Sequence, residues 1–293
     1  MKRRAFLSLL STAAANLSIV AARPRSSAPA ARFIAFGDTG TGDDAQYELA
    51  RIMAAHHRES PFERVLLLGD NIYPDGDLAD VVPKFERPYA DLLQRGVKFH
   101  AVLGNHDVRK GRETQIQYPH FNMGGRAYYS FADEATSTEF FAIDSNDFNP
   151  AQKLWLERTL AASRARWKIA YLHHPVYSSG KKHGSNLRLR AELEPLLVTH
   201  GVTAVFAGHD HTYERSKLQR GVQHFVSGAG SKLRRGDLNR QSSILASGTD
   251  EASCFISVEI TPDRFDFKTI DLNGRVIDQG QLESRATVPT QGI

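Results

Sequence analysis

Short apolar runs punctuate the chain, and five of them stop at side chains able to hold a metal. Arg32–Phe36 runs into Gly37-Asp38, Val65–Leu68 into Gly69-Asp70, and Val97–Leu103 into Gly104-Asn105-His106-Asp107. Trp167–Leu172 runs into His173-His174, and Ala204–Ala207 into Gly208-His209-Asp210-His211. Brief stretches rich in Phe, Val, Ile and Leu predict buried strands. Helix-like stretches lie between several of them, at about Asp43–His57, Leu78–Gln94, Ala151–Arg164 and Leu187–His200. Strand and helix alternating in this way predict an α/β domain with mostly parallel central strands. Ligands of such sheets gather outside the carboxyl ends of the strands, which is where all these polar residues fall. The last quarter (Gln223–Ser227, Cys254–Ile260, Arg264–Ile270, Arg275–Gly280) predicts consecutive strands, an antiparallel addition to the same domain.

Composition changes this picture at two points. The single cysteine, Cys254, excludes an intramolecular disulfide and a cysteine-built zinc site. The formal charge of +4 suggests a nucleic-acid partner at first, but Lys2, Arg3 and Arg4 open the chain ahead of a softly apolar run from Ala5 to Ala22. A charged start and an apolar middle are the layout of an export signal. Arg3-Arg4-Ala5-Phe6-Leu7 resembles the twin-arginine signal of bacteria. Cleavage after Ala22 removes three positives and leaves +1; cleavage after Ala30 also removes Arg23 and Arg25 and leaves −1. The mature chain is then near neutral, with no basic field for DNA or RNA. Ser8, Ser11, Thr12, Asn16 and Ser18 make the apolar run a poor permanent span, so no stable membrane anchoring is expected. Residues 1–30 are thus expected to be signal and linker, read by the twin-arginine machinery, and 31–293 one domain working in the periplasm or outside the cell.

Taken singly the motifs are weak. A Gly-Asp after a strand is often a turn or a helix cap, and Asn105 alone reads as a turn residue. Together, five strand ends supplying Asp, Asp plus Tyr, Asn plus His, His, and His-x-His gather hard oxygens and imidazoles. That mixture suits two divalent or trivalent first-row ions. The set consists of GDTG at Gly37–Gly40, GDNIY at Gly69–Tyr73, GNHD at Gly104–Asp107, HHPVYS at His173–Ser178 and GHDH at Gly208–His211. It resembles the calcineurin-like metallophosphoesterases, and within them the small purple acid phosphatases of the tartrate-resistant type. The resemblance runs from Arg32 to the final strands and implies a four-layer αββα sandwich of two mixed β-sheets flanked by helices.

Carried over position by position, the resemblance implies that Asp38, Asp70, Tyr73 and His211 hold one metal. Asp70, Asn105, His173 and His209 hold the other, with Asp70 shared. The chemistry agrees. A carboxylate has two oxygens and can span two ions about 3.5–4 Å apart, and Asn105 adds a neutral oxygen without more negative charge. A phenolate from Tyr73 favours a trivalent ion, and in the purple acid phosphatases the tyrosine there binds Fe(III) and gives the colour. Fe(II), Zn or Mn is implied beside it. If Tyr73 is instead a packing aromatic, the site holds Mn or Zn and is colourless. The family places its ligand first in the histidine pair, with an aromatic residue usually following, so His173 is read as ligand and His174 as loop packing.

The activity implied is hydrolysis of phosphate monoesters of small molecules by a metal-bound hydroxide. His106, next to a ligand but not one itself, is free to protonate the leaving group, with Asp107 orienting its ring. His183 resembles a second active-site histidine of the small enzymes. The polar stretch 231–250, with Lys232, Arg234, Arg235 and Arg240, reads either as a solvated loop or as a basic loop steering anionic substrates. Two other functions remain open: a phosphodiesterase with two Mn ions on the same scaffold, and a metal-stabilised binding protein without turnover.

Overall fold

The computed structural model describes residues 30–284, so the export-signal reading lies, all but its final residue, outside the described part. The apolar runs become strands because they can be buried on both faces. In the first sheet, β1 (Ala31–Phe36), β2 (Arg64–Leu67) and β3 (Lys98–Ala101) lie parallel. On the other side of β1 come β11 (Cys254–Ile260), β12 (Phe265–Asp271) and β13 (Val276–Leu282), all antiparallel. The second sheet has a parallel centre of β5 (Thr138–Ala142), β6 (Trp167–Leu172), β7 (Ala204–Ala207) and β9 (Gln223–Ser227). It is edged antiparallel by β4 (Tyr129–Asp133) next to β5, and by β8 (Tyr213–Ser216) and β10 (Leu245–Thr249) beyond β9.

The sheets meet through aromatic rings. Phe33 stands edge-on to Phe140 and Phe206 with centroids 5.3 and 5.8 Å away, and Phe225 meets Phe267 at 5.0 Å. Outside the first sheet, helix α1 (Asp44–Glu59) buries Leu49, Ala50 and Met53 in the same core. Outside the second, α4 (Pro150–Ala162) and α5 (Leu187–Thr199) bury Leu156, Leu160, Leu193 and Leu197 against Phe141, Ala170 and Val205. Each of these helices starts where a side chain satisfies a free backbone N–H: Asp43 accepts from Gln46, Asn149 from Gln152, and Asn186 from Leu189. The four-layer αββα sandwich is therefore the observed architecture. Among the described residues no helix is long and apolar enough to cross a membrane.

Two expectations change. The stretch Leu78–Gln94 is not one helix. It is a tight turn at Leu78–Asp80, a wide turn at Val82–Glu86 and a short helix α2 (Ala90–Gln94). Pro83 and Pro88 bring no N–H and obstruct the preceding turn, so a continuous ladder cannot form. Of the last-quarter strands, β9 joins the parallel centre of the second sheet; only β11 to β13 make the antiparallel addition. Strands β4, β5, β8 and β10, and the short helix α3 (Arg112–Gln117), were not expected from the pattern.

Candidate metal centre

Three loops from the first sheet and two from the second meet at the carboxyl ends of the central strands, sewn together by backbone hydrogen bonds. The N–H of Asp38 donates to the Gly69 carbonyl and that of Gly208 to His173, both at 3.0 Å, and Gly37 donates to Ser227 at 2.8 Å. Such approaches leave no room for side chains: a Cβ on Gly208 would stand 2.6 Å from Asp38 Oδ2. Asp38, Asp70 and His209 adopt left-handed backbone, with φ of 56°, 53° and 72°. That conformation costs roughly 1–2 kcal/mol for a residue with a Cβ. Its concentration on three predicted ligands marks a functional site.

All seven predicted ligands converge, in two groups. The Tyr73 hydroxyl lies 3.2 Å from Asp38 Oδ1 and 3.4 Å from His211 Nε2, which is itself 3.4 Å from Asp38 Oδ1. Asn105 Oδ1 lies 3.0 Å from both His173 Nε2 and His209 Nδ1, and those nitrogens are 3.2 Å apart. Asp70 stands between the groups, its Oδ1 3.6 Å from His173 Nε2. One atom each of Asp38, Asp70 and His173 falls within 4.8 Å of the others.

These residues fit a pair of cations, and His173 shows it. Its Nδ1 is 2.8 Å from the Leu68 carbonyl, which can only accept, so the proton sits on Nδ1. Nε2 therefore presents a lone pair to another acceptor, Asn105 Oδ1, at 3.0 Å. Two lone pairs that close call for a positive charge between them. This second-partner fixing of the ring is how metal-binding histidines are oriented. Burial, then the neighbouring Asp70 charge, holds the Asp38 carboxyl well above its ordinary range. Burial and then His174 push His173 far down, and burial with the surrounding imidazoles does the same to His209. Burial, then Arg234 and Lys232, push His211 down to about 4. The buried Tyr73 phenol is pushed up by burial and then by the Asp38 and Asp70 charges. A cation among them reverses the carboxyl and phenol shifts and takes the imidazole lone pairs.

Residues 31–213 match the family model described as calcineurin-like phosphoesterase. The chain belongs to that family. Human tartrate-resistant acid phosphatase type 5 is 30% identical to it over 302 residues, covering 88% of this chain and 92% of the relative. Purple acid phosphatase 17 of Arabidopsis thaliana is 31% identical over 249 residues, covering 74% and 73%. Among solved structures, GAP50, the anchor in the inner membrane complex of Plasmodium, superposes with a TM-score of 0.74 at 20% identity, covering 88% of this chain and 90% of its own. An anchor on the same fold is a reminder that the fold leaves function open and the site must be argued by itself.

In this phosphoesterase His106 hangs over the first group. Its Nδ1 meets the Pro74 carbonyl at 2.6 Å, its ring lies 4.7 Å from that of Tyr73, and its Nε2 is 4.0 Å from Asp70 Oδ2. Asp107 does not orient this ring, contrary to expectation. Its buried carboxylate accepts from the backbone N–H of Asn71, Ile72 and Gly104 and from Gln115 Nε2, at 2.8–3.2 Å. It clamps the Asp70 loop to the Asn105 loop, and Pro74 does the orienting. The His183 ring lies 4.3 Å from His209, on a loop pinned from below. Asp210 accepts from the Gly184 N–H at 3.2 Å and Asp237 from the Lys182 N–H at 2.9 Å.

His174 is not mere loop packing. Its Nδ1 and its backbone N–H both lie 2.9 Å from Ser145 Oγ, and its ring is 4.5 Å from His209. Nor is 231–250 simply a solvated loop. The N–H groups of Ser231 and Lys232 donate to the Asp38 carbonyl at 3.1 and 3.2 Å, and Lys232 Nζ sits 4.2 Å from the Tyr73 ring centroid. Arg234 pairs with Asp237 and Arg240 with Asp250, which leaves less basic charge facing outward than the sequence suggests. Ser145, Asp210 and Asp237 escaped the sequence reading. Only Asp210, lying between two predicted ligands, carried a local signal. A concavity of 620 Å³ near Arg32, His56 and Phe267 includes none of these residues.

Proposed function

We propose that this phosphoesterase is an exported acid phosphatase of the purple type. It hydrolyses phosphate monoesters at two metal ions, with ferric iron in the Tyr73 group and Fe(II), Zn or Mn in the His173 group. The carrying observation is the split of the donors into an oxygen-rich set (Asp38 and Tyr73 with His211) and a set built on two imidazoles (His173 and His209 with Asn105), with Asp70 between. Two cations held there supply the charge that lowers the pKa of an attacking water and neutralises the phosphoryl oxygens. The chain's own residues do the rest. His106 commits its Nδ1–H to Pro74, so Nε2 is the atom that can hold and hand over a proton. It faces the centre beside Asp70 and can reach a leaving oxygen. His183, on the far side of His209, positions the ester. Asp107 and the glycine contacts hold the donor loops at fixed separation before substrate arrives, which is where preorganised sites gain their advantage.

The chain purified after export should contain two metals including iron and show a visible absorption band that Tyr73→Phe abolishes. A colourless two-metal wild type would count against ferric iron. Activity on bis-(4-nitrophenyl) phosphate far above that on 4-nitrophenyl phosphate would favour the diester reading. Recovery of a shortened chain outside the cytoplasm checks the export half, which rests on the Arg3-Arg4 start and the residue pattern behind it.

A further inference from the structure

We infer that a cavity of 310 Å³ beside His209 is a second anion-binding pocket, selecting phosphate esters that carry another carboxylate or phosphate near the ester. The inference rests on the phosphatase reading and gives that reading a substrate class. The cavity is lined by His174, Pro175, Lys182, His183, Gly184, Asn186 and His209, with no carboxylate on its wall. Its size is at the small end of ligand pockets, about 300–1,000 Å³, and fits a compact polar group. Two imidazoles flank His209, with ring centroids at 4.5 Å for His174 and 4.3 Å for His183.

His174 is held in a way packing alone does not need. Ser145 Oγ accepts the His174 backbone N–H at 2.9 Å and faces Nδ1 at 2.9 Å; the pocket as inferred has the hydroxyl donate there, which leaves Nε2–H for a guest. One ring nitrogen of His174 lies within 4.8 Å of nitrogens of His173 and His209, so the ring stands at the edge of the donor set. Where the family resemblance implies an ordinary aromatic, this chain thus has an imidazole fixed in place by Ser145. Lys182 stands exposed at the rim, its backbone fixed by Asp237. Asp210, held to the Gly184 N–H beneath the wall, and the Arg234 and Lys182 cations all act on His183, with opposite sign. One permanent cation, two imidazoles and a carboxylate-free wall favour a negative guest. Because His209 forms part of both the pocket and the donor set, a phosphoryl group at the centre leaves its substituent within reach of the pocket.

The test compares phenyl phosphate with 3-carboxyphenyl phosphate on the metal-replete enzyme. Wild type should prefer the carboxylated ester about tenfold in kcat/KM, mostly through KM, the size of one charge-assisted hydrogen bond. His174→Phe keeps the ring volume and should bring the ratio toward one, as should Lys182→Gln at the exposed rim. Ser145→Ala, which frees the ring without removing it, should give a ratio between. Calorimetric binding of 3-phosphonobenzoate against phenylphosphonate should show the same preference and the same loss, and needs no turnover. A wild-type ratio near one in both measurements, or a preference unchanged in His174→Phe and Lys182→Gln, overturns the pocket. Absence of hydrolysis of either ester overturns the phosphatase reading instead, and calorimetry still decides the pocket.

Discussion

Two buried carboxylate sites lie at the same end of the molecule, and their surroundings differ. Asp107 is ringed by donors: three backbone N–H groups and the Gln115 amide converge on its oxygens. Asp70 and Asp38 are starved of them. Asp70 accepts from the His106 N–H at 2.9 Å, and Asp38 from the His209 N–H at 2.8 Å and the Tyr73 hydroxyl at 3.2 Å. Burial and the Asp70 charge hold Asp107 up to about 7 against the pull of its donors. A buried carboxylate with a full set of donors is a structural clamp; one left short beside other lone pairs is waiting for a cation. Both follow an apolar strand and a glycine-containing motif, so their donors, not their place in the chain, tell them apart.

Replacing Asp70 with Asn should have the largest effect. It removes the shared ligand, so bound metal should fall from two toward none by elemental analysis, and phosphatase activity should drop at least about a thousandfold, roughly 4 kcal/mol of barrier. The metal-free variant should nevertheless unfold at the same or higher urea concentration, because the lost charge is one that pushes up Asp38 and Asp107. Retention of both metals, or a weaker metal-free fold, breaks the contrast. Asp107→Ala should do the reverse. It strands the amides of Asn71, Ile72 and Gly104, each costing about 1–3 kcal/mol when buried without a partner. Allowing for entry of water, metal-free protein should lose about 3 kcal/mol in urea unfolding. A variant of unchanged stability that merely loses metal would make Asp107 part of the cation site.

The sequence reveals the donor set far better than it reveals the clamp. Asp38, Asp70, Asn105, His173, His209 and His211 each announce themselves locally, as a polar side chain closing an apolar strand, and Tyr73 follows within the same loop. What holds them is non-local. Two of the four donors to Asp107, the N–H groups of Asn71 and Ile72, come from the Asp70 loop 36 and 35 residues earlier, and Ser145 reaches His174 across 29 residues. No period or spacing encodes either contact. Over Leu78–Gln94 the sequence itself carries the correction, since Pro83 and Pro88 forbid a continuous ladder. β10 was hidden for another reason. Its sequence, Leu-Ala-Ser-Gly-Thr, has little strand character and is a strand only because β8 offers it an edge.

Glu214 tests whether the same contrast extends to a third carboxylate, with the smallest effect. It is buried beneath the His183 loop, accepting from the Ser179 N–H at 2.5 Å and Thr212 Oγ1 at 2.9 Å. The Ser178 hydroxyl has one proton but touches both Asp210 Oδ2, at 2.5 Å, and Glu214 Oε1, at 3.1 Å. Burial, with a further push from the Asp210 charge, holds Glu214 up to about 7 from an ordinary 4.5. A carboxyl raised in the folded state keeps its proton where the unfolded chain has released it. Its contribution to stability is therefore full below about pH 4.5 and is lost as pH rises through about 7. Glu214→Gln removes that dependence while preserving shape. The urea unfolding free energy of metal-free wild type should fall, relative to the variant, by about 3 kcal/mol between pH 4.5 and 8. Because Asp107 titrates in both proteins, the difference between the two curves reports Glu214 together with its coupling to Asp210. Parallel curves would mean that its donors satisfy the charge in spite of burial.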